Sequence, residues 1–187
     1  MKRVLTFLFI ITLASLLGAA TLDLGAGFGW RQMKGDNVKD VYGNGTAFTP
    51  FVQVGIFKGL KIGFTYEFGY SKDGTVGLYN EDSTLKVHGW EAYGLYEFCT
   101  GKIKPYLRLG LASFSYKQEF SNTSYTQKVD DSKVTVAFGG GVAFVPVKNL
   151  RLHGEVKYIP LKVEPYETEV DLSGMRLLVG AAYSFNL

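Results

Sequence analysis

Residues 60–71 read Leu60-Lys61-Ile62-Gly63-Phe64-Thr65-Tyr66-Glu67-Phe68-Gly69-Tyr70-Ser71. Even positions carry Leu, Ile, Phe, Tyr, Phe and Tyr; odd positions carry Lys, Gly, Thr, Glu, Gly and Ser. Period two over such a run is a β-strand with one apolar and one polar face. In a soluble sheet the apolar face is the core. In a barrel immersed in a bilayer it meets lipid, and the polar face lines the lumen.

The same alternation recurs along the chain. It predicts strands over Leu22–Met33, Thr46–Phe57, Leu60–Ser71, Thr84–Phe98, Ile103–Lys117, Lys133–Val145, Leu150–Tyr158 and Met175–Leu187. The fourth is the least regular, and a bulge is expected there. No segment reads as an amphipathic helix. Connections alternate in length. Tight turns carrying Gly, Pro or Asn fall at Phe57–Leu60, Cys99–Lys102 and Pro146–Asn149. Long polar loops are expected over Lys34–Gly45, Lys72–Ser83, Gln118–Ser132 and Pro160–Ser173. Short turns at one end and long loops at the other is the arrangement of outer-membrane barrels, with both termini at the periplasmic end.

The first residues, MKRVLTFLFIITLASLLGAA, place Lys2 and Arg3 before an apolar run and close on small residues. This is the pattern of a secretory signal peptide over residues 1–20, leaving a single barrel domain over 21–187. The formal net charge of +3 loses Lys2 and Arg3 with that leader and is then near neutral, so nothing points to nucleic acid. The lone cysteine, Cys99, has no partner for an intramolecular disulfide.

Composition of the two faces decides between the readings. The polar face is rich in glycine and carries isolated charges of both signs: Glu67, Glu91 and Glu155 against Arg108, Lys157 and Arg176. An exposed sheet would show interspersed Lys/Glu pairs instead. An eight-stranded barrel has an interior just wide enough for side chains to fill. Inward glycines relieve crowding there, and opposite charges satisfy one another. The six named charges are therefore expected to form a lumenal ion-pair belt, with Glu91 beside Arg108 and Glu155 beside Arg176. Trp30, Tyr66, Tyr70, Tyr96, Tyr158 and Tyr183 lie toward strand ends, where amphipathic rings suit a membrane interface.

Several segments carry a family likeness. Gly139–Phe144, Pro146–Leu152 and Glu155–Tyr158 form a glycine strand, a short turn at Asn149-Leu150 and a returning EVKY strand. Lys104-Pro105-Tyr106-Leu107 precedes Gly110. The chain resembles the OmpA-like and OmpW/OmpX-like small outer-membrane barrels. Its last strand, LLVGAAYSFNL, is similar to the signal that the outer-membrane assembly machinery reads, but it ends in Leu187 where the family favours Phe. The resemblance implies a monomer in the bacterial outer membrane, contacting its lipids, without the peptidoglycan-binding domain of full-length OmpA. The expected ion-pair belt closes the lumen to a continuous water path, which favours a structural or interaction role, and aromatics in the four loops, Tyr42, Tyr79, Phe120, Tyr125 and Tyr166, suit a surface open to an extracellular partner. A narrow pore for ions or small solutes is the alternative.

A lipid A-modifying enzyme is a third class on this scaffold, ranked last. His153 is followed by Gly154 and Glu155 rather than a suitably spaced serine, and it falls on the polar face. No cofactor is expected: His88 and His153 lie on different strands without ligand spacing. Asp130-Asp131 is too little for calcium, and no helix follows Gly139-Gly140-Gly141 to make a phosphate loop.

Overall fold

The computed structural model describes residues 21–76, 81–98, 101–121, 126–164 and 170–186. Residues 1–20, expected to be a signal peptide, lie outside the described residues, as do Cys99, Tyr79, Tyr125 and Tyr166. The barrel is all-β. Strands β1 (Thr21–Met33), β2 (Gly45–Phe57), β3 (Leu60–Val76), β4 (Glu81–Glu97), β5 (Ile103–Ser121), β6 (Thr126–Val147) and β7 (Leu150–Ile159) run in sequence, and β10 (Gly174–Asn186) follows. All eight pair antiparallel with their neighbours in one closed cycle, β1-β10-β7-β6-β5-β4-β3-β2. The seam joins Thr21 opposite Asn186 through to Met33 opposite Gly174. In the closed part no strand edge is left, so the ladder satisfies the backbone polar groups that lipid could not; the upper ends of β3 and β6 run past their β2 and β7 partners.

On β5, Ile103, Leu107, Leu109 and Leu111 are exposed outward, while Tyr106, Arg108 and Ala112 are buried inward. On β1, Leu24, Phe28 and Trp30 face out, while Asp23 and Arg31 are buried. Inward glycines leave room for rings beside them. A Cβ on Gly63 would lie 2.4 Å from the Tyr93 ring, on Gly89 2.5 Å from the Phe114 ring, and on Gly141 2.7 Å from the Tyr106 ring. The tight turn between β2 and β3 uses Gly59 at φ +83°, a conformation that costs glycine little.

Four differences from the sequence reading stand out. First, the alternation over Leu60–Ser71 does slip. Register shifts between Glu67 and Tyr70, while β4 opposite stays regular. The bulge therefore sits in β3, and it turns Tyr70 from the outer face to the inside, where the residue is buried. Its hydroxyl donates to the carbonyls of Tyr42 and Gly43, at 3.0 and 2.8 Å. Second, β3, β4, β5 and β6 run well past the predicted limits, so much of the loops expected over Lys72–Ser83 and Gln118–Ser132 is strand. Third, the first long loop holds a helix, α1 (Asp36–Tyr42), closed by Gly43 at φ +68°. Such short helices are marginal alone; this one is held by packing Val38 and Tyr42 onto the barrel. Fourth, Tyr42 is not a surface aromatic but is buried there. A small antiparallel pair, β8 (Lys162–Val163) with β9 (Val170–Asp171), lies in the connection between β7 and β10.

Together α1, this pair and the strand extensions cover the long-loop end of the lumen. Met33, Val38, Tyr70, Leu85, Val87, Phe114, Tyr116, Ile159, Leu161 and Leu172 are among the buried residues of one apolar cluster there. Its polar atoms are paired: Tyr42 and Ser83 share a hydrogen bond of 2.6 Å, and Gln118 Nε2 donates to Tyr42 Oη at 2.6 Å.

Candidate functional site

Below the apolar cluster the lumen is filled by charge. Parity places these side chains: each sits on the inward face of a strand whose outward neighbours are apolar. Register then sets their heights. Arg31 on β1 lies opposite Arg176 on β10, which lies opposite Lys157 on β7. Three cations thus stand side by side on one wall. Direct cross-strand like charges are destabilising, so each must find an anion elsewhere. The acids are on the far wall: Glu67 on β3 and Glu91 on β4.

The pairs therefore cross the lumen. Glu67 accepts from Arg31 at 3.3 Å and from Arg176 at 3.2 Å. Glu91 takes Lys157 at 2.8 Å and Arg108 at 2.9 Å. Arg108 reaches on to Glu155 at 3.2 Å, which also accepts from the Tyr106 hydroxyl at 3.1 Å. The Arg108 guanidinium lies 3.5 Å from the centroid of the Tyr93 ring, a cation–π contact. Arg31 and Arg176 sit beneath the Phe114 ring, at 5.9 and 5.4 Å from its centroid. All seven charged side chains are buried.

All six charges singled out from the sequence are thus brought into this network. One pairing differs. Arg176 does not meet Glu155; it crosses to Glu67, because its neighbour on β7 at that height is Lys157. Arg31 was passed over, though it shares Glu67. So was a lower tier near the short-turn end. There Lys61 bridges Asp23 at 2.7 Å and Glu97 at 3.2 Å, and Glu97 also takes Arg151 at 2.5 Å and Lys104 at 3.5 Å. The missed residues all have inward parity, which was the signal available. Between the tiers a void of about 20 Å³ is lined by Phe51, Gln53, Tyr93, Arg108 and His153, among others, enough for about one water.

The two histidines lie on different strands, β7 and β4. His153 packs edge-on against Phe51, ring centroids 5.2 Å apart, inside the barrel. His88 lies on β4, its ring 6.4 Å from that of Tyr66. No group of three His, Cys, Asp or Glu among the described residues could hold a metal.

A closed eight-strand barrel, apolar outside and charged within, is the architecture of the small outer-membrane proteins. The sequence profile of the family described as outer membrane protein beta-barrel domain matches residues 4–185. The chain belongs to that family, and it is a protein of the bacterial outer membrane. Solved structures share the fold at low identity. OprG from Pseudomonas aeruginosa is 11% identical, covering 90% of this chain and 97% of its own, at a TM-score of 0.70. Neisserial surface protein A is 15% identical, with 89% and 99% coverage and a TM-score of 0.63. Ail of Yersinia pestis, solved with the heparin analogue sucrose octasulfate, is 17% identical, with 89% and 99% coverage and a TM-score of 0.60. Among curated proteins no match was found.

Proposed function

We propose that the protein is a non-enzymatic structural and interaction barrel, with its lumen closed to ions and its long-loop end presented outside the cell. The observation that carries this reading is the double filling of the lumen. Trans-lumen ion pairs occupy the membrane-embedded part, and the apolar cluster with α1 occupies the part above. Among the described residues the void between the charged tiers has room for about one water, which supports a lumen closed to hydrated ions. With the long-loop end outward, the short turns and both termini face the periplasm, and the β3–β4 and β5–β6 extensions form the surface offered to an extracellular partner. The barrel acts as a monomer among outer-membrane lipids, assembled through the C-terminal strand. His153, inside the barrel rather than on its lipid-facing surface, has no access to a membrane substrate, which argues against lipid A chemistry.

The test is single-channel current across a planar bilayer. Wild type should stay closed or flicker at small conductance. A large, stable, frequently open conductance would promote the narrow pore to first reading.

A further inference from the structure

The short-turn end differs from the belt above it in the size of its cation surplus, since the belt sets four cations against three acids. Each of the three tight turns contributes one lysine, Lys58, Lys102 and Lys148, and none contributes an acid. Inside them the lumen widens into a concave vestibule of about 280 Å³. Five cations line it, Lys58, Lys61, Lys104, Lys148 and Arg151, against two carboxylates, Asp23 and Glu97. Both carboxylates are already engaged: Glu97 is shared among Lys61, Lys104 and Arg151, and Asp23 takes Lys61. The Glu97–Arg151 pair is buried and forms part of the vestibule floor. The cations thus outnumber the acids in a recess whose low-dielectric walls focus their field. Ser184 and Asn186 add polar atoms to the same wall.

We propose that this vestibule is an anion site that takes a phosphate-type oxyanion, from a free phosphate compound or from a phospholipid headgroup of the adjoining leaflet. Lys58 and Lys148, exposed at the rim, capture the anion; Lys61 and Lys104, deeper and partly covered, hold it. The site is blind-ended above the floor, so it does not depend on conduction. A leaky barrel would refute the closed lumen and leave the anion site untouched.

The probe is inorganic pyrophosphate, added to the full barrel in nanodiscs of zwitterionic phosphatidylcholine and followed by amide chemical shifts. Saturable shifts should be confined to the surroundings of Lys61, Glu97 and Ser184. Lys58→Gln with Lys148→Gln, both exposed in turns, should leave the spectrum folded and weaken binding by about tenfold, the scale of losing Coulomb attraction at close range in a water-wet mouth. A second arm replaces part of the lipid with phosphatidylglycerol and omits pyrophosphate. Shifts at the same residues, lost in the double variant, identify the headgroup as a source; their absence leaves free phosphate compounds as the source. Two results would overturn the proposal. One is no saturable shift in either arm. The other is shifts spread equally over Lys86, Lys117 and Lys128 at the far end and indifferent to the double variant.

Discussion

The lower and upper halves of the same strands obey opposite rules. On the lower part of β4, Glu91 and Glu97 point in while Trp90 and Tyr96 point out; on its upper part, Leu85 and Val87 point in while Asp82 and Lys86 point out. On β5, Arg108 is inside and Leu109 outside below, whereas Phe114 and Tyr116 are inside and Lys117 outside above. The lower half is built inside out, with lipid as its solvent. The upper half follows the water-soluble rule: the extensions of β3, β4, β5 and β6, covered by α1 and the β8–β9 pair, enclose a dry core. Strand parity never changes on β4 or β5; only the surroundings of the outer face do. On β3 parity does change, through the bulge between Glu67 and Tyr70, which places Tyr70 in the upper core.

The comparison can be broken most forcefully at Glu67. Glu67→Gln leaves Arg31 and Arg176 buried without their shared carboxylate, and urea unfolding in lipid vesicles should register a loss of about 3–5 kcal/mol. An unchanged midpoint would mean that the lower half is not held by charge. Phe114→Ala probes the upper half. It opens a cavity in the apolar cluster and should cost about 3 kcal/mol, the lower end for a buried Phe, since Arg31 and Arg176 beneath can shift partly into the space.

The height at which the rule reverses is tested by one substitution made twice on the outer face of β5. Leu109→Arg should cost about 2–4 kcal/mol at mid-membrane. Ser115→Arg, above the apolar band, should stay within about 0.5 kcal/mol. Equal penalties would put the boundary elsewhere.

The smallest effect belongs to the exposed pair Lys128–Glu119, at 3.0 Å on the β5–β6 extension. The hydrogen bond from Lys128, reinforced by its charge, holds the Glu119 carboxyl below the usual carboxylate range. A depressed folded-state value means that the stabilisation is present above the unfolded value and fades as pH falls through the folded one. In urea melts taken across the acid range, Glu119→Gln should lower the neutral midpoint only slightly, leave the midpoint below the folded-state value unmoved, and so flatten the acid limb a little.

This reversal also explains what could be read from residues alone. The rule of apolar outward and polar inward holds from Ile103 to Leu111 and from Leu150 to Val156, and there the strands were legible. It stops holding where the outer face leaves lipid. Leu85, Val87 and Phe114 then become inward core residues within predicted strands, and beyond them residues 72–76, 81–83, 118–121 and 126–132, Val129 among them, lack the apolar-outward pattern and read as loop although they are strand. The bulge in β3 was hidden because Tyr70 continued the apolar alternation of Leu60–Phe68 by residue type while leaving it in space. The helix α1 was hidden for a different reason: two turns carry too little periodicity, and tertiary contacts hold it. In the lumen, Glu67, Glu91, Arg108, Glu155, Lys157 and Arg176 were visible as charges on a glycine-rich face. Strand adjacency also gave the pair Glu91–Arg108, but not Arg176 with Glu67, because a pair formed across the barrel depends on which walls face each other.

The cation row at the seam bears on the order of assembly. Zipping the first strand to the last brings Arg31 directly opposite Arg176, and the two repel until Glu67 lies between them. The Glu67–Arg176 contact spans 109 positions of chain, a separation whose loop-closure entropy delays contact formation. Glu67 is therefore expected to act as a clasp, with the circle shutting stably once the β2–β3 hairpin has folded into place behind it. Refolding of Glu67→Gln into vesicles should stall at an unsealed sheet, visible as strand content gained before the compact, heat-resistant gel band. Simultaneous appearance of the two at the wild-type rate would remove the clasp from the pathway.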